Sequence, residues 1–445
     1  MADQHQGSHS ARTRSMSRRA FLQLAGVATG AAMLGGVRPA TAAQAPAPLQ
    51  GTRLSYLQWV NFVPAHDAVL KKQVAEWEKQ SGVKVAFETI NQNDIQARTT
   101  VAIESKTGPD VIQLAHNWPH LYEAGLDAVD DLAEALGQQG DGYYDLPKAH
   151  SFVNGTWRAV PHSIVSPAST YRTDWFKEVG YDKFPDTWQE YREAGKKLKA
   201  KGHPIGQALG HSLGDPPIFC YALLWGFGAK EVEADGKTVA LDSKETLEAV
   251  NFGVGFWKDA CDESGLAWDD ANNNRAYLAE QIACTFNGAS IWVEAKRNFP
   301  HLVEVTNHAY FPAGPQGRYH PHVTWENAVM GYSKNKEAAR EFIKYVMEYN
   351  RYVEWLKAGQ GYSTAPTKVF AKDKLWGELD PQVAPFKDII KHGRHFGYAG
   401  PASRKAAEVW SKYIIVDMFA KAVQGTSPQD AVKWATGELK RVYEV

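Results

Sequence analysis

Thr52-Arg53-Leu54-Ser55-Tyr56-Leu57-Gln58-Trp59-Val60 is a strand-forming run that stops at the turn Asn61-Phe62-Val63-Pro64, and the helix and strand beyond that turn decide the architecture. From His66 to Gln80 the residues Val69, Leu70, Val74 and Trp77 recur at helical spacing with Lys and Glu opposite, and Ser81-Gly82 closes the helix. A second strand comes next, Val83-Lys84-Val85-Ala86-Phe87-Glu88-Thr89-Ile90. Strand, helix and strand in this order predict a βαβ unit, whose right-handed crossover makes the strands parallel in a doubly wound sheet. Asn93 or Asp94 is placed to cap a further helix running to about Lys106, and Gly108-Pro109-Asp110 opens the buried strand Val111-Ile112-Gln113-Leu114.

The same alternation resumes beyond Trp157-Arg158-Ala159-Val160-Pro161. Ser169-Thr170-Tyr171-Arg172 reads as a strand leaving a first lobe, and helices are predicted at Asp174 to Val179, Thr187 to Lys201, Phe219 to Gly226, Ser243 to Cys261 and Asn274 to Glu280. Strands are expected around His308 to Pro312 and His322 to Trp325, then helices at Lys336 to Tyr349 and Asn350 to Lys357. The stretch from Ser403 onward is helical, broken at Gly425-Thr426-Ser427-Pro428.

Upstream, Ser17-Arg18-Arg19-Ala20-Phe21-Leu22 heads a weakly apolar run that ends near Ala40-Thr41-Ala42, the pattern of a twin-arginine export signal. The run from Ala20 to Val37 is too short and too rich in Gly and Ala to span a bilayer, which takes about 20 apolar residues. Residues 1–43 are therefore expected to be a cleaved signal and 44–51 a Pro- and Ala-containing linker. No Cys follows the apolar run to carry a lipid, so a soluble periplasmic chain is expected. The remaining length, with 44% hydrophobic residues, suffices for two cores. A formal net charge of -1 gives no electrostatic footprint for nucleic acid or an anionic membrane. Cys220, Cys261 and Cys284 are odd in number and lack metal-type spacing, so one disulfide is the most they allow. The 15 Trp, 19 Tyr and 18 Phe supply flat apolar faces, which serve a core or a ligand equally well.

Several segments in fixed order carry a family resemblance: Gly108-Pro109-Asp110-Val111-Ile112; Tyr171-Arg172-Thr173-Asp174-Trp175-Phe176; Phe184-Pro185-Asp186-Thr187-Trp188-Gln189-Glu190-Tyr191; and Phe286-Asn287-Gly288-Ala289-Ser290-Ile291-Trp292. Phe311-Pro312-Ala313-Gly314-Pro315 and Ser333 to Ala339 continue the series. Together they resemble the extracellular solute-binding proteins of carbohydrate-type ABC importers. The resemblance implies an α/β, two-lobed periplasmic binding protein fold of type II, each lobe a mainly parallel sheet flanked by helices, with the ligand cleft between lobes. It assigns 52–165 with 302–331 to the N-terminal lobe and 166–301 with 332–445 to the C-terminal lobe. It also implies a small-molecule, carbohydrate-like solute and ABC importer permease subunits as partners, a monomer, no cofactor and no membrane insertion.

A sugar presents hydroxyl edges and C–H faces, so its site combines aromatic plates with groups that donate and accept hydrogen bonds. Loops at strand ends face the crevice of such folds. On that basis the expected ligand-binding residues are Trp59 and Asn61, Asn117 and Trp118, Tyr171, Trp225, Asn287 and Trp292, Trp325 and Glu326, and Gly361 and Tyr362. For each pair a buried Trp beside a turn-forming Asn is the plainer reading. Trp325-Glu326 departs from the family's usual Gly-Trp-Gly-type segment. A Glu there is expected either to accept sugar hydroxyls, to pair with an amino group boxed by Trp and Tyr, or to bond a hinge Arg. Gly361 is expected to let backbone approach the ligand.

His320-Pro321-His322 invites a metal reading, but without a carboxylate or Cys at a fixed interval it is taken as structural or exposed, and no metal site is expected. Asp269-Asp270, beside Asn272-Asn273-Asn274, reads as a solvated turn. A glycerol phosphodiester, a polyol or an amine stay open as ligands. An exported glycan-degrading enzyme is the rival class, although no H-E-x-x-H or P-loop is present.

Overall fold

The computed structural model describes residues 49–444, so the expected export signal lies outside the described residues. Two sheets organise the chain. The first contains β1 (Arg53–Trp59), β2 (Lys84–Ile90) and β3 (Val111–Ala115). After a small hairpin of β4 (Phe152–Val153) and β5 (Thr156–Trp157), β6 (Val160–Val165) completes its early part, and β7 (Ala168–Arg172) begins the second sheet. Then come β8 (Cys284–Asn287), β9 (Thr306–Ala309), β10 (Val323–Val329) and β11 (Ser363–Thr364). The first sheet has the order β11-β6-β10-β3-β1-β2, the second β8-β7-β9.

The βαβ unit forms as its periodicity dictates. The Pro64–Ser81 helix has Pro at its first position and ends at Gly82, whose φ of 73° lets its N–H return to Glu78 O. β1 and β2 pair in parallel from Arg53↔Lys84 to Trp59↔Ile90. Parallel pairing stops at β3, because β10 returns from the other lobe and runs antiparallel to both β3 and β6, while β7 pairs antiparallel with β8 and β9. The first sheet is therefore mixed and the second antiparallel, rather than mainly parallel, as crossing segments demand when the chain re-enters a sheet from the opposite end.

Pairing and packing also redraw the lobe boundaries. β9, expected in the first lobe with 302–331, belongs to the sheet of β7. The Lys336–Val346 and Tyr349–Ala358 helices, expected in the second lobe, pack on the first. The reason is the apolar stripe of the former: Phe342 lies against Tyr56 and Trp77, with ring centroids 5.4 and 5.1 Å apart. The helices Arg404–Ser411, Ile414–Val423 and Pro428–Tyr443 do pack on the second lobe. Thr187 caps the Trp188–Ala200 helix in a capping box with Glu190.

The chain crosses first at Ser166-Pro167, between β6 and β7, again between β9 and β10, and a third time between β11 and the Arg404–Ser411 helix. The first two crossings are tied together: His320 Nδ1 donates to Pro167 O at 3.0 Å and His322 Nδ1 lies 3.0 Å from Ser166 Oγ. This gives His320-Pro321-His322 a bracing role at the hinge. Cys220, Cys261 and Cys284 are unpaired and fully buried, and burial raises each thiol far above its ordinary range.

Candidate functional site

The carboxyl ends of β1, β2, β3 and β6 face the second lobe, as the general rule for open α/β sheets requires, and antiparallel β10 brings its amino end there. Between the lobes lies a narrow cavity of about 30 Å³. Its first-lobe wall is aromatic: Trp59 and Trp325 stack with centroids 4.7 Å apart and planes 9° from parallel, and Tyr362 sits 6.4 Å from Trp59. The second-lobe wall carries Asp215, Asp270 and Asn287.

Asp270 is built into the second lobe by backbone. Its carboxylate accepts the N–H of Gly214 at 3.0 Å and of Asp215 at 2.7 Å, at the start of the Asp215–Gly226 helix, where the helix dipole favours an anion. Gln92, just past β2, donates its amide to the same carboxylate from the opposite lobe. Asp215 Oδ2 accepts from Asn273 Nδ2 at 2.7 Å. Burial raises both carboxyls above the usual range; their mutual repulsion adds to the effect at Asp215 and that of Asp269 at Asp270, against hydrogen bonds that pull each back. Neither forms an ion pair among the described residues, and no Lys, Arg or His lines the cavity.

Other bonds bridge the lobes. Leu213 N–H donates to Asn93 Oδ1 at 3.0 Å, which is why Asn93 does not cap the Ile95–Ser105 helix. Ser411 Oγ accepts from Gln96 Nε2 at 2.8 Å and Trp118 Nε1 at 3.3 Å. A cavity of about 30 Å³ is far below the ~300–1,000 Å³ of small-molecule sites. The two lobes meet around it through the hydrogen bonds just described.

A second polar patch lies where β3 ends. His116 holds φ at 51°, its ring 4.3 Å from Trp410 and 5.0 Å from Phe396 of the second lobe. Both nitrogens of His116, both amide atoms of Asn117 and the indole N–H groups of Trp225 and Trp410 are buried without a hydrogen-bond partner. Burial lowers His116 to about 3, so its imidazole is neutral.

Of the residues expected from sequence, the structure brings Trp59, Trp325, Asn287 and Tyr362 to the cavity. Asn117 and Trp225 join the second patch, with Trp118 5.8 Å from Trp410. The others are corrected. Asn61 is spent on Asp67, donating both its backbone and side-chain N–H. Tyr171 packs on Phe176 and Phe184 inside the second lobe. Trp292 donates Nε1 to Asp380 at 3.2 Å and does not line the cavity. Glu326 sits within β10, opposite Leu114 and Pro161, fully buried and without an Arg partner; burial raises its carboxyl well above the usual range. Gly361 is required by its φ of 90° and by Val383, 3.0 Å from where a Cβ would stand. Asp270 is no solvated turn residue, being only 5% exposed. Sequence reasoning missed Gln92, Asp215, His116 and Trp410. Asp215-Pro216-Pro217, a helix start with Pro in its first turn, was the one local signal available.

Comparisons with known proteins agree with this geometry. The sequence profile of the bacterial extracellular solute-binding proteins matches residues 64–348. A probable ABC transporter-binding protein of Deinococcus radiodurans is 23% identical over 401 residues, covering 84% of this chain and 90% of the relative. The maltotriose-binding protein of Pyrococcus abyssi is 21% identical over 375 residues, 79% of this chain and 74% of the relative. Among solved structures, maltose-bound MalE3 of T. maritima superposes with a TM-score of 0.76 at 22% identity, covering 88% of this chain and all of that one.

Proposed function

The chain belongs to the bacterial extracellular solute-binding protein family, and we propose that it is the receptor of an ABC importer that captures a sugar or sugar derivative by closure of its two lobes. The observation that carries this reading is the interlobe cavity, with stacking rings on one wall and hydrogen-bonding acids and amides on the other. Rings match sugar C–H faces, and carboxylates accept sugar hydroxyls. Closure buries the solute and presents both lobes to the permease, since the ligand selects the shut form. The receptor works as a monomer in the periplasm, after export on the signal around Arg18-Arg19 and cleavage near Ala43.

A glycerol phosphodiester is disfavoured, because no cation lines the cavity to meet a phosphate. A polyol remains compatible with the same walls. Glycan cleavage is disfavoured too: it needs two free carboxyl groups, whereas both oxygens of Asp270 are engaged by N–H donors. Calorimetric titration of the mature protein with mono- and oligosaccharides is expected to give saturable heats with one site per chain. Silence across all of them, or turnover of a glycan abolished by Asp215→Ala, would overturn the reading.

A further inference from the structure

We infer that the solute carries a protonated amine, as in an amino sugar, and that Asp215 meets this cation beneath the rings of Trp59, Trp325 and Tyr362. The inference rests on the receptor reading and narrows its ligand class. Three observations carry it. First, the polar atoms lining the cavity are largely spent within the protein. Gln92 serves Asp270, Asn287 gives its amide to Asn274 and accepts from Ser290, and Asp270 is filled by N–H donors. Left without a protein partner are Asp215 Oδ1, the Tyr362 hydroxyl and the buried Trp325 indole N–H. One carboxylate oxygen beside an indole and a phenol is a poor match for the many hydroxyls of a neutral sugar held edge-on. It is a good match for an ammonium, which needs an anion and ring faces.

Second, Asp215 and Asp270 are two buried carboxyl groups with no Lys, Arg or His among the residues lining the cavity. A buried carboxyl ionises at low cost only when paired, so an incoming ammonium supplies the missing partner. Third, aromatic faces crowd the same cavity: Trp59 and Trp325 lie parallel, with Phe62 edge-on to Trp59 at 6.0 Å and Tyr362 close by. A ring cage over an anion is the arrangement that recognises organic cations.

The test titrates the mature protein with glucosamine, N-acetylglucosamine and glucose, and with the matching β-linked disaccharides. These probes share a ring and differ only in the cationic, amide or hydroxyl substituent. The amine forms are expected to bind at least about tenfold more tightly than both neutral forms. Asp215→Asn is expected to erase that preference, lowering affinity for the amine forms by at least about tenfold more than for the neutral forms. Should the variant fold poorly, the wild-type comparison decides alone. Equal or tighter binding of a neutral form overturns the inference and leaves the receptor reading standing, whereas absence of binding by every probe overturns both.

Discussion

The two lobes bury opposite kinds of titratable group. Inside the first lobe and at its cleft edge lie His66, His116, His150, His162 and His322, all held neutral by burial, four of them lowered to about 3. Inside the second lie Asp215, Asp270 and Glu231, all raised by burial, Glu231 to about 7. Asp67 and Glu326 in the first lobe, and His308 of β9 in the second, lowered to about 4, depart from this division. The contrast separates two duties. The first lobe lines the cavity with neutral rings, and the second lines it with carboxyls and an amide.

The contrast makes a large effect with pH. An imidazole whose pKa is lowered on folding contributes stability above its unfolded value of about 6.5, and that stability is lost as pH falls below it. Each of the four lowered to about 3 costs about 2 kcal/mol at pH 5, so the first lobe is expected to lose stability between about pH 6.5 and 5. Denaturant titrations at stepped pH check this; unchanged stability at pH 5 would break the comparison. Trp325→Ala comes next, since it removes a buried ring stacked on Trp59 and is expected to cost about 3–5 kcal/mol of stability. Its affinity loss is therefore to be read at a temperature where the variant is folded.

Glu231 tests the opposite lobe. It accepts from Tyr221 Oη at 2.9 Å and from Gly397 N–H. A carboxyl raised on folding binds its proton more tightly in the folded state, so stability falls as pH rises from 4.5 to about 7. Against Glu231→Gln, wild type is expected to lose about 3 kcal/mol across that window, read as the difference between the two stability curves. The smallest effect belongs to Gln92→Ala, which deletes one interlobe hydrogen bond worth about 0.5–1.5 kcal/mol. Small-angle scattering of the unliganded variant is expected to show a larger radius of gyration than wild type.

Local patterns were legible and long-range pairing was not. The βαβ unit, the Thr187 cap and most helices follow from spacing over a few turns, which one stretch of chain contains. The lobe boundaries depend on where β9 and β10 find partners: they are near neighbours in sequence yet join different sheets. At the site, Trp59, Trp325, Asn287 and Tyr362 were readable because strand ends face the cleft. Tyr171 and Trp292 were misread because residue type near a strand end does not give side-chain direction. Asp270 was hidden for another reason: Asp-Asp before an Asn run looks like a turn, and only the N–H groups of Gly214 and Asp215, distant in sequence, explain its burial.

The sealed thiols have a practical consequence. Cys220, Cys261 and Cys284 are all the cysteines in the chain, and each is 0% exposed. A maleimide dye therefore has no native target in the folded protein, and Val101→Cys, at a position 61% exposed on the first lobe, becomes a single labelling point. The natural chain is thereby ready-made for conversion into an optical biosensor, with no cysteine-free background to engineer first.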